Sequence, residues 1–319
     1  MSKYLRSAIS IACLAMGAAL AAVAPAQAWE PTKPITIVVG FAPGGGTDVI
    51  ARQLAASSQQ YFPVPLVILN KPGAAGTLAA QEVARAAPDG YTLLVAGGSE
   101  STSVPAYRET AYDTRKDFRP IIRATSNPQL LVVAAGSPLK SVEDVVAKAK
   151  EKAGSLSYGT SGVGSLVHAM TEVFAKRAEI ELKHIPYQGG APALQALLAG
   201  QIDILVAALD EVQGQLDAGA IRALAVTRSE RVASFPSVPT FKEAGYDVSG
   251  DNMKGFVAPA GTPDDVYAYL HGQFKKGLEG QIWQDYATKT RFTTEYLDGP
   301  AFQSAMTILL NEISAAVKK

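Results

Sequence analysis

The sequence predicts an α/β fold with two lobes, each a mainly parallel sheet flanked by helices. Three observations lead to it: strand-like and helix-like segments alternate, one strand–loop–helix design occurs twice, and about 291 residues follow an N-terminal leader. Alternation of this kind favours parallel strands joined by crossover helices. A chain of this length is large for one core, so two lobes are expected.

The N-terminus has the pattern of a secretory signal. Lys3 and Arg6 precede an apolar run, and residues 26–28 (Ala-Gln-Ala) match a signal-peptidase site. The run is too short for a stable membrane span. The only cysteine, Cys13, lies inside this leader, so the mature chain has no disulfide and no thiol nucleophile. We expect residues 1–28 to be removed and the mature protein to work in the periplasm.

The charge of the mature chain limits its partners. Removal of the leader leaves 27 Lys and Arg residues against 29 Asp and Glu residues. A nearly neutral chain without a basic stripe predicts no nucleic-acid partner.

The first strand–loop–helix unit is the most informative segment. A β-branched run from Ile35 ends at a Pro-Gly-Gly-Gly turn, residues 43–46, and a helical pattern follows over residues 49–60, with Thr47 or Asp48 placed to cap it. A helix start offers unpaired N–H groups and a positive dipole end, and glycines let a ligand approach the main chain. The unit is predicted to hold an anion, and a tight turn without a ligand is the alternative.

The other elements follow from the same patterns. Short apolar runs between Gly, Pro and Asn predict extended segments over residues 64–69, 91–96, 130–135, 181–186, 201–206, 221–227 and 256–258. Helical spacing of apolar residues predicts helices over residues 77–87, 141–152, 166–176, 191–199, 263–278 and 300–317.

The design of the first unit is repeated about 115 residues later. A short strand, a Gly/Ser loop (residues 159–165) and a helix start at Leu166 follow one another. Ligands of open α/β sheets bind beyond the carboxyl ends of the strands. Two lobes that face each other across a cleft would direct both helix starts at one ligand. His168, just behind the second loop, is either a satisfied helix histidine or a support for that loop.

The sequence offers little for catalysis. A dinucleotide fingerprint fails because Val49 stands where a third glycine is needed and Asn70 where an acid is needed. Residues 159–163 do not form the G-x-S-x-G elbow of serine hydrolases. The three histidines lack ligand spacing, so no metal, no cofactor and no catalytic residue is predicted.

Several motifs together resemble the Bug family, the extracytoplasmic solute-binding proteins of tripartite tricarboxylate transporters. The similarity runs in order from about Pro31 to Lys319, and its motifs are FAPGGGTD (41–48), PDGY (88–91), YGTSGVGS (158–165), IPYQG (185–189), AGQID (199–203) and LAVT (224–227). Residues 209–212 and 253–259 look most like the tricarboxylate-binding branch. Ala207 and Ala208 stand where amino-acid-binding members often carry an acid and an amide, which argues against an amino-acid ligand.

The resemblance implies a two-lobed, type II-like periplasmic binding protein that closes on a carboxylate. It implies that two loops hold one carboxylate, partly through ordered water. The implied binding residues are Ala42, Pro43, Gly44, Gly45, Gly46, Thr47 and Asp48 on the first loop, Thr160, Ser161, Gly162 and Ser165 on the second, and Ala207.

The far end of the ligand is expected to set specificity. Ser99, Glu100 and Ser101 follow the third strand and either face the cleft or form a solvated loop. Lys254 either meets a remote carboxylate as a point charge or is a solvated lysine at a strand start. The chain is expected to cross between lobes near Asn127 and residues 250–252, so that lobe 1 comprises residues 29–127 and 251–319 and lobe 2 residues 128–250.

The predicted function is that of a non-catalytic receptor. It would capture a small di- or tricarboxylate, act as a monomer and deliver the ligand to membrane transporter subunits. Two alternatives stay open at this point: an enzyme acting on a small carboxylic acid with the same two-lobed fold, and a ligand-sensing protein for a membrane kinase.

Overall fold

The computed structural model describes residues 29–290 and 294–317. Within them, eleven strands form two separate sheets. The strands are β1 (Ile35–Val39), β2 (Leu66–Asn70), β3 (Thr92–Ala96), β4 (Phe118–Asn127), β5 (Gln129–Ala134), β6 (Ser157–Thr160), β7 (Lys183–Pro186), β8 (Ile204–Ala208), β9 (Ile221–Val226), β10 (Asn252–Pro259) and β11 (Thr294–Asp298). The first sheet has the order β11-β4-β10-β3-β1-β2 and the second β7-β6-β8-β5-β9. The predicted signal peptide lies outside the described residues.

Helices cover the sheets and connect most of the strands. They are α1 (Gly46–Ser58), α2 (Thr77–Ala84), α3 (Ser103–Tyr107), α4 (Val142–Glu151), α5 (Leu166–Ala178), α6 (Gly190–Leu198), α7 (Leu209–Asp217), α8 (Asp264–Glu279), α9 (Gln281–Thr290) and α10 (Gly299–Val317). In the described residues, no helix is long and apolar enough to cross a membrane.

The two-lobed α/β architecture agrees with the prediction, but both sheets are mixed instead of mainly parallel. β1 pairs in parallel with β2 and β3, and β6 pairs in parallel with β7 and β8. β10 runs antiparallel to β3 and β4, and β5 runs antiparallel to β8 and β9. Every antiparallel pair in the described residues includes β4, β5 or β10, the strands next to the points where the chain passes between the sheets.

The chain passes between the sheets twice. β4 ends at Asn127 and β5 begins at Gln129, while β10 starts at Asn252 after β9 has ended at Val226. Asn252 is paired with Asn127 in the antiparallel ladder of β10 and β4, so the two crossings lie side by side. Two adjacent, extended crossings are a suitable hinge, because a few residues can absorb the change in backbone angles.

Apolar contacts continue across the boundary between the sheets. Leu94 of the first sheet and Val133 of the second belong to one buried cluster, which also contains Phe302 of α10. α10 contacts α3, β4 and α5, so it packs against elements of both sheets. Full burial of one such Leu, Val or Phe side chain contributes about 1.5–3 kcal/mol. The clustered side chains therefore stabilise the contact between the two sheets.

Five elements were not predicted: β4, β11, α3, α7 and α9. β4 contains Pro120 between Arg119 and Arg123, so its apolar run is interrupted. A proline inside a strand normally argues against that assignment. Here the register of the ladder with β10 shifts next to Pro120, and the irregularity accommodates the missing N–H group.

Candidate functional site

The first glycine-rich loop leads from β1 into α1 and is held by Asp48. The Asp48 carboxylate accepts hydrogen bonds from Gly44 N–H (2.9 Å), Arg52 Nε (2.9 Å) and Asn70 Nδ2 (2.8 Å). Burial would raise the pKa of Asp48, but the hydrogen bonds and the Arg52 charge outweigh it and hold the pKa below its usual value. Asp48 therefore fixes the shape of the loop from behind and does not line the cavity.

The loop leaves the start of α1 open. Its N-cap, Gly45, supplies no side-chain hydrogen bond. Gly44 has a φ of 84°, a left-handed conformation that favours glycine, whereas Gly45 has an extended φ of −75°. Gly44 is therefore the position in this turn whose backbone conformation requires glycine. The uncapped first turn can donate N–H groups to an anion.

The second loop leads from β6 into α5, and its helix start is partly occupied. Ser165 Oγ accepts from His168 N–H (3.3 Å), and Leu166 N–H donates to Ser99 Oγ (2.9 Å) on the turn after β3. Ser103 Oγ in turn donates to the Gly164 carbonyl (2.7 Å). The contacts Ser99–Leu166 and Ser103–Gly164 therefore join the segment that follows β3 of the first sheet to the second loop.

Two stacked histidines support the second loop from inside. His168 Nδ1 accepts from Gly164 N–H at 3.2 Å, and His184 Nε2 lies 2.7 Å from Thr160 Oγ1. The two imidazole rings stack with centroids 4.3 Å apart. Burial lowers the pKa of both and, with the His168 charge, brings that of His184 to about 4. The rings are therefore neutral at pH 7, and His168 is the loop support that the sequence left as one of two options.

A third glycine-rich turn reaches the same place and was not assigned to the site from the sequence. α6 begins at Gly190 after the N-cap Gly189, which has a φ of 133° and no capping side chain. Gly189 and Gly190 repeat the signal of the first loop, a glycine pair directly before a helix. This repetition could have identified the turn from the sequence.

The three turns enclose an inner cavity of about 300 Å³. Seven of the predicted residues line it: Ala42, Pro43, Gly45, Gly46, Thr47, Ser99 and Ser161. Further lining residues that the sequence reasoning missed include Gln188, Gly189, Gly190, Ala191, Pro192, Glu211 and Asn252. Glu211 is the one charged side chain among the described residues that line this cavity.

An outer cavity of about 590 Å³ adjoins the inner one. The two share Phe41, Ala42, Ser161, Gln188 and Gly189, and the predicted Gly162 lines the outer one. Arg108 is exposed, and it is the one charged side chain among the described residues that line the outer cavity. It forms no ion pair with the described residues of that cavity. Ala74 and Ala75 also line this cavity and have φ values of 49° and 54°, a strained turn of the kind found at functional sites.

The remaining predicted residues line neither cavity: Gly44, Asp48, Ser101, Thr160, Ser165, Ala207 and Lys254. Ser101 Oγ donates to Glu100 Oε1 (2.8 Å) and accepts from Gly97 N–H (3.2 Å), so both side chains stabilise their own turn. Burial raises the pKa of Glu100. Ala207 is buried in β8, where it pairs with Leu130.

Lys254 forms a buried ion pair across the cleft floor. Its Nζ lies 2.6 Å from Asp210 Oδ2, and the two side chains are 1% and 8% exposed. Lys254 belongs to β10 of the first sheet, and Asp210 follows β8 of the second. Asp210 Oδ1 has no hydrogen-bond partner in the described chain. From the sequence, Lys254 was one candidate to bind the remote carboxylate of the ligand. In the structure its charge is neutralised by Asp210.

Comparison with known proteins gives the relatives of the chain. The family model of the tripartite tricarboxylate transporter family receptor matches residues 50–311. The UPF0065 protein in the gbd 5' region of Cupriavidus necator is 34% identical, over 98% of this chain and 95% of the relative.

Two solved structures of Rhodopseudomonas palustris proteins are also similar. MatC with bound malate has a TM-score of 0.83 and 30% identity, over 90% of this chain and 99% of MatC. A second protein, solved with adipate, has the same TM-score and identity, over 90% of this chain and 97% of its own.

Proposed function

Because the chain belongs to the family of tripartite tricarboxylate transporter receptors, we propose that it captures a small di- or tricarboxylate between its two sheets. It delivers the ligand, chemically unchanged, to the membrane subunits of such a transporter. It works as a monomer in the periplasm after removal of residues 1–28. We also propose that lobe 1 comprises residues 29–127 and 251–319 and that lobe 2 comprises residues 128–250.

The observation that carries the proposal is the uncapped start of two helices at one cavity. α1 and α6 both begin without a side-chain cap, at Gly46 and Gly190, and both glycines line the inner cavity. Free N–H groups and positive dipole ends favour a negative ligand. The malate and adipate found with the two R. palustris proteins are small dicarboxylates. One carboxylate of such a ligand suits the inner cavity.

The outer cavity provides room for the second carboxylate. Arg108 stands in its wall without an ion-pair partner there, whereas Lys254 is already neutralised by Asp210. A guanidinium can bind a carboxylate with two parallel hydrogen bonds, and such charge-assisted bonds contribute about 1.5–3 kcal/mol. A dicarboxylate that spans both cavities would use the helix starts at one end and Arg108 at the other.

The test is a carboxylate panel against the mature chain. Thermal unfolding and calorimetry would be measured with malate, succinate, adipate, citrate, the monocarboxylate butyrate and the amino acid glutamate. A ligand at 100 times its Kd stabilises the folded state by about 2.7 kcal/mol. We expect a di- or tricarboxylate to give the largest shift, and the ligand recovered after release to be unaltered.

The variant Arg108→Gln tests the assignment of the two ends. It should weaken a dicarboxylate about tenfold or more and leave butyrate unchanged, since the lost bonds serve only the remote carboxylate. Arg85→Gln, at an exposed position outside both cavities, is the matched control. A panel without any stabilising acid would overturn the proposed function; equal losses for both ligand classes would remove only Arg108.

A further inference from the structure

Glu211 is an acidic side chain inside a cavity that is otherwise built for an anion. It stands in the first turn of α7 and lines the inner cavity, where no other charged side chain of the described chain is exposed. An ionised carboxylate at this place would repel a carboxylate ligand. The presence of Glu211 therefore requires a reason.

The position of Glu211 brings it against both open helix starts. A β-carbon added to Gly46 would lie 3.0 Å from Glu211 Cγ and 3.3 Å from its Oε1. A β-carbon added to Gly190 would meet the same carboxyl group. Glu211 thus reaches between the first turns of α1 and α6, where the ligand carboxylate is expected.

The charges around Glu211 leave one negative charge uncompensated. Lys254 on β10 is neutralised by Asp210, the neighbour of Glu211 on α7, and Asp210 Oδ1 is buried without a partner. The titratable groups on the other surrounding elements are Asp48 on α1, tied to Arg52, Glu100 after β3, and Tyr286 on α9 near Asp210. Lys254 is the cation of the described chain that acts on Glu211, and its charge is already shared with Asp210.

The surroundings favour the neutral form of the acid. Burial and the charge of Asp210 raise the pKa of the Glu211 carboxyl to about 7, against a smaller opposing effect of Lys254. When two carboxylates share one site, the second ionises only at a much higher pH. A ligand carboxylate next to Glu211 would therefore raise the pKa of Glu211 further.

We infer that the ligand binds together with one proton, which is held between the Glu211 carboxyl group and the ligand carboxylate. The proton comes from solvent and stays on a Glu211 oxygen, and this O–H group donates a hydrogen bond to the ionised ligand. No covalent bond is formed or broken apart from this protonation. The inference rests on the proposed function, and it makes Glu211 a pH-dependent donor at the site.

The inference has a quantitative consequence. Linkage of one proton makes the affinity fall as the pH rises, approaching tenfold per pH unit above about pH 7, while below it the affinity levels off. Malate and adipate are both dianions over this range, so the ligand itself does not change. Release of the ligand would be favoured wherever the local pH is higher.

The experiment is calorimetry with malate and adipate on the mature chain at about pH 6.5 and about pH 8.5, in two buffers of different ionisation enthalpy. The dependence of the heat on the buffer gives the number of protons taken up. At the higher pH we expect uptake of nearly one proton per ligand and an affinity more than tenfold weaker than at the lower pH.

Two variants make the result specific. Glu211→Gln carries a permanent donor, so it should bind at both pH values alike and take up no proton. Glu143→Gln changes an exposed first-turn acid of α4 in the same way and should keep the behaviour of the parent chain.

The outcomes separate the inference from the proposed function. Binding with no proton uptake in the parent chain, or the same pH dependence in Glu211→Gln, overturns the inference and leaves the receptor function intact. No binding of any panel acid at the lower pH overturns the proposed function, and the inference with it.

Discussion

At the scale of single residues, the ion pair of Lys254 and Asp210 shows how burial changes the role of a charge. Both side chains are almost fully removed from solvent, and Asp210 keeps one oxygen without a partner. Removing one member of a buried pair costs about 3–5 kcal/mol, because the other charge is left uncompensated. The pair therefore belongs to the fold of the cleft floor, and changes to it should appear first in stability.

The variant Lys254→Met should lower the free energy of unfolding of the ligand-free chain by about 3–5 kcal/mol. Urea denaturation measures this. The double variant Lys254→Met with Asp210→Leu should recover most of the loss, since it leaves no isolated charge. A variant that keeps full stability yet binds dicarboxylates selectively worse would instead place Lys254 at the ligand.

The sequence could name Lys254 but could not give its partner. Asp210 lies 44 positions away and on the other sheet, so only the fold brings the two together. The glycines of the first loop were easier, because the strand before them and the helix after them fix their place at the sheet edge. Residues whose role depends on their own backbone are readable from the sequence; those that depend on a distant side chain are not.

At the scale of elements, the start of α1 combines an anion site with a contact between the sheets. A β-carbon on Gly46 would lie 3.0 Å from Asp210 Oδ2 and 3.0 Å from Glu211 Cγ, closer than side chains normally approach. On Gly45 it would meet only the Ala42 carbonyl, at an ordinary 3.6 Å. Two adjacent glycines thus differ in what they tolerate.

The variant Gly46→Ala should weaken all carboxylates about tenfold or more, because the added methyl group keeps α7 from its place against α1. Loss of one or two charge-assisted hydrogen bonds at the helix start is enough for this. Gly214→Ala is the matched control, because a β-carbon there meets nothing within 4 Å and the residue lines neither cavity, and it should leave both affinities unchanged. Calorimetry with malate and adipate gives both affinities; an unchanged Kd in a folded Gly46→Ala variant would contradict the close approach of α7.

The elements themselves were predicted unevenly, for physical reasons. α5 was expected over residues 166–176 and extends over Leu166–Ala178, because its apolar spacing is regular and Ser165 caps it. β4 was missed because Pro120 and two arginines interrupt its apolar run. α9 follows α8 after the single residue Gly280, so no loop composition marks the boundary.

At the scale of the whole molecule, the two sheets are joined both at the hinge and across the cleft. At the hinge, Arg228 pairs with Asp251 and Glu295, each at 2.6 Å. Burial opposes the charge of Arg228, but the two carboxylates outweigh it and raise its pKa. Across the cleft, Ser99 and Ser103 contact the second loop. The contacts of Arg228 lie beside the crossings, whereas those of Ser99 and Ser103 span the gap between the sheets and would be lost if the sheets moved apart.

A ligand that touches both sheets must favour this close arrangement over an open one, since its contacts are complete only there. Ser103 allows a test, because its hydroxyl joins the sheets and lines neither cavity. Ser103→Ala should weaken malate and adipate equally, about fivefold for a bond of about 1 kcal/mol, and mainly through faster release. Ser155→Ala removes an exposed hydroxyl that bonds only to the Lys148 carbonyl, within the connections of the second sheet, and should not change either affinity.

X-ray scattering of the parent chain should show a smaller radius of gyration with ligand, and Ser103→Ala should need a higher ligand concentration to reach that smaller radius. Equal radii with and without saturating ligand would mean that the sheets are held together at all times, and the cleft contacts would then stabilise the fold and not the bound state.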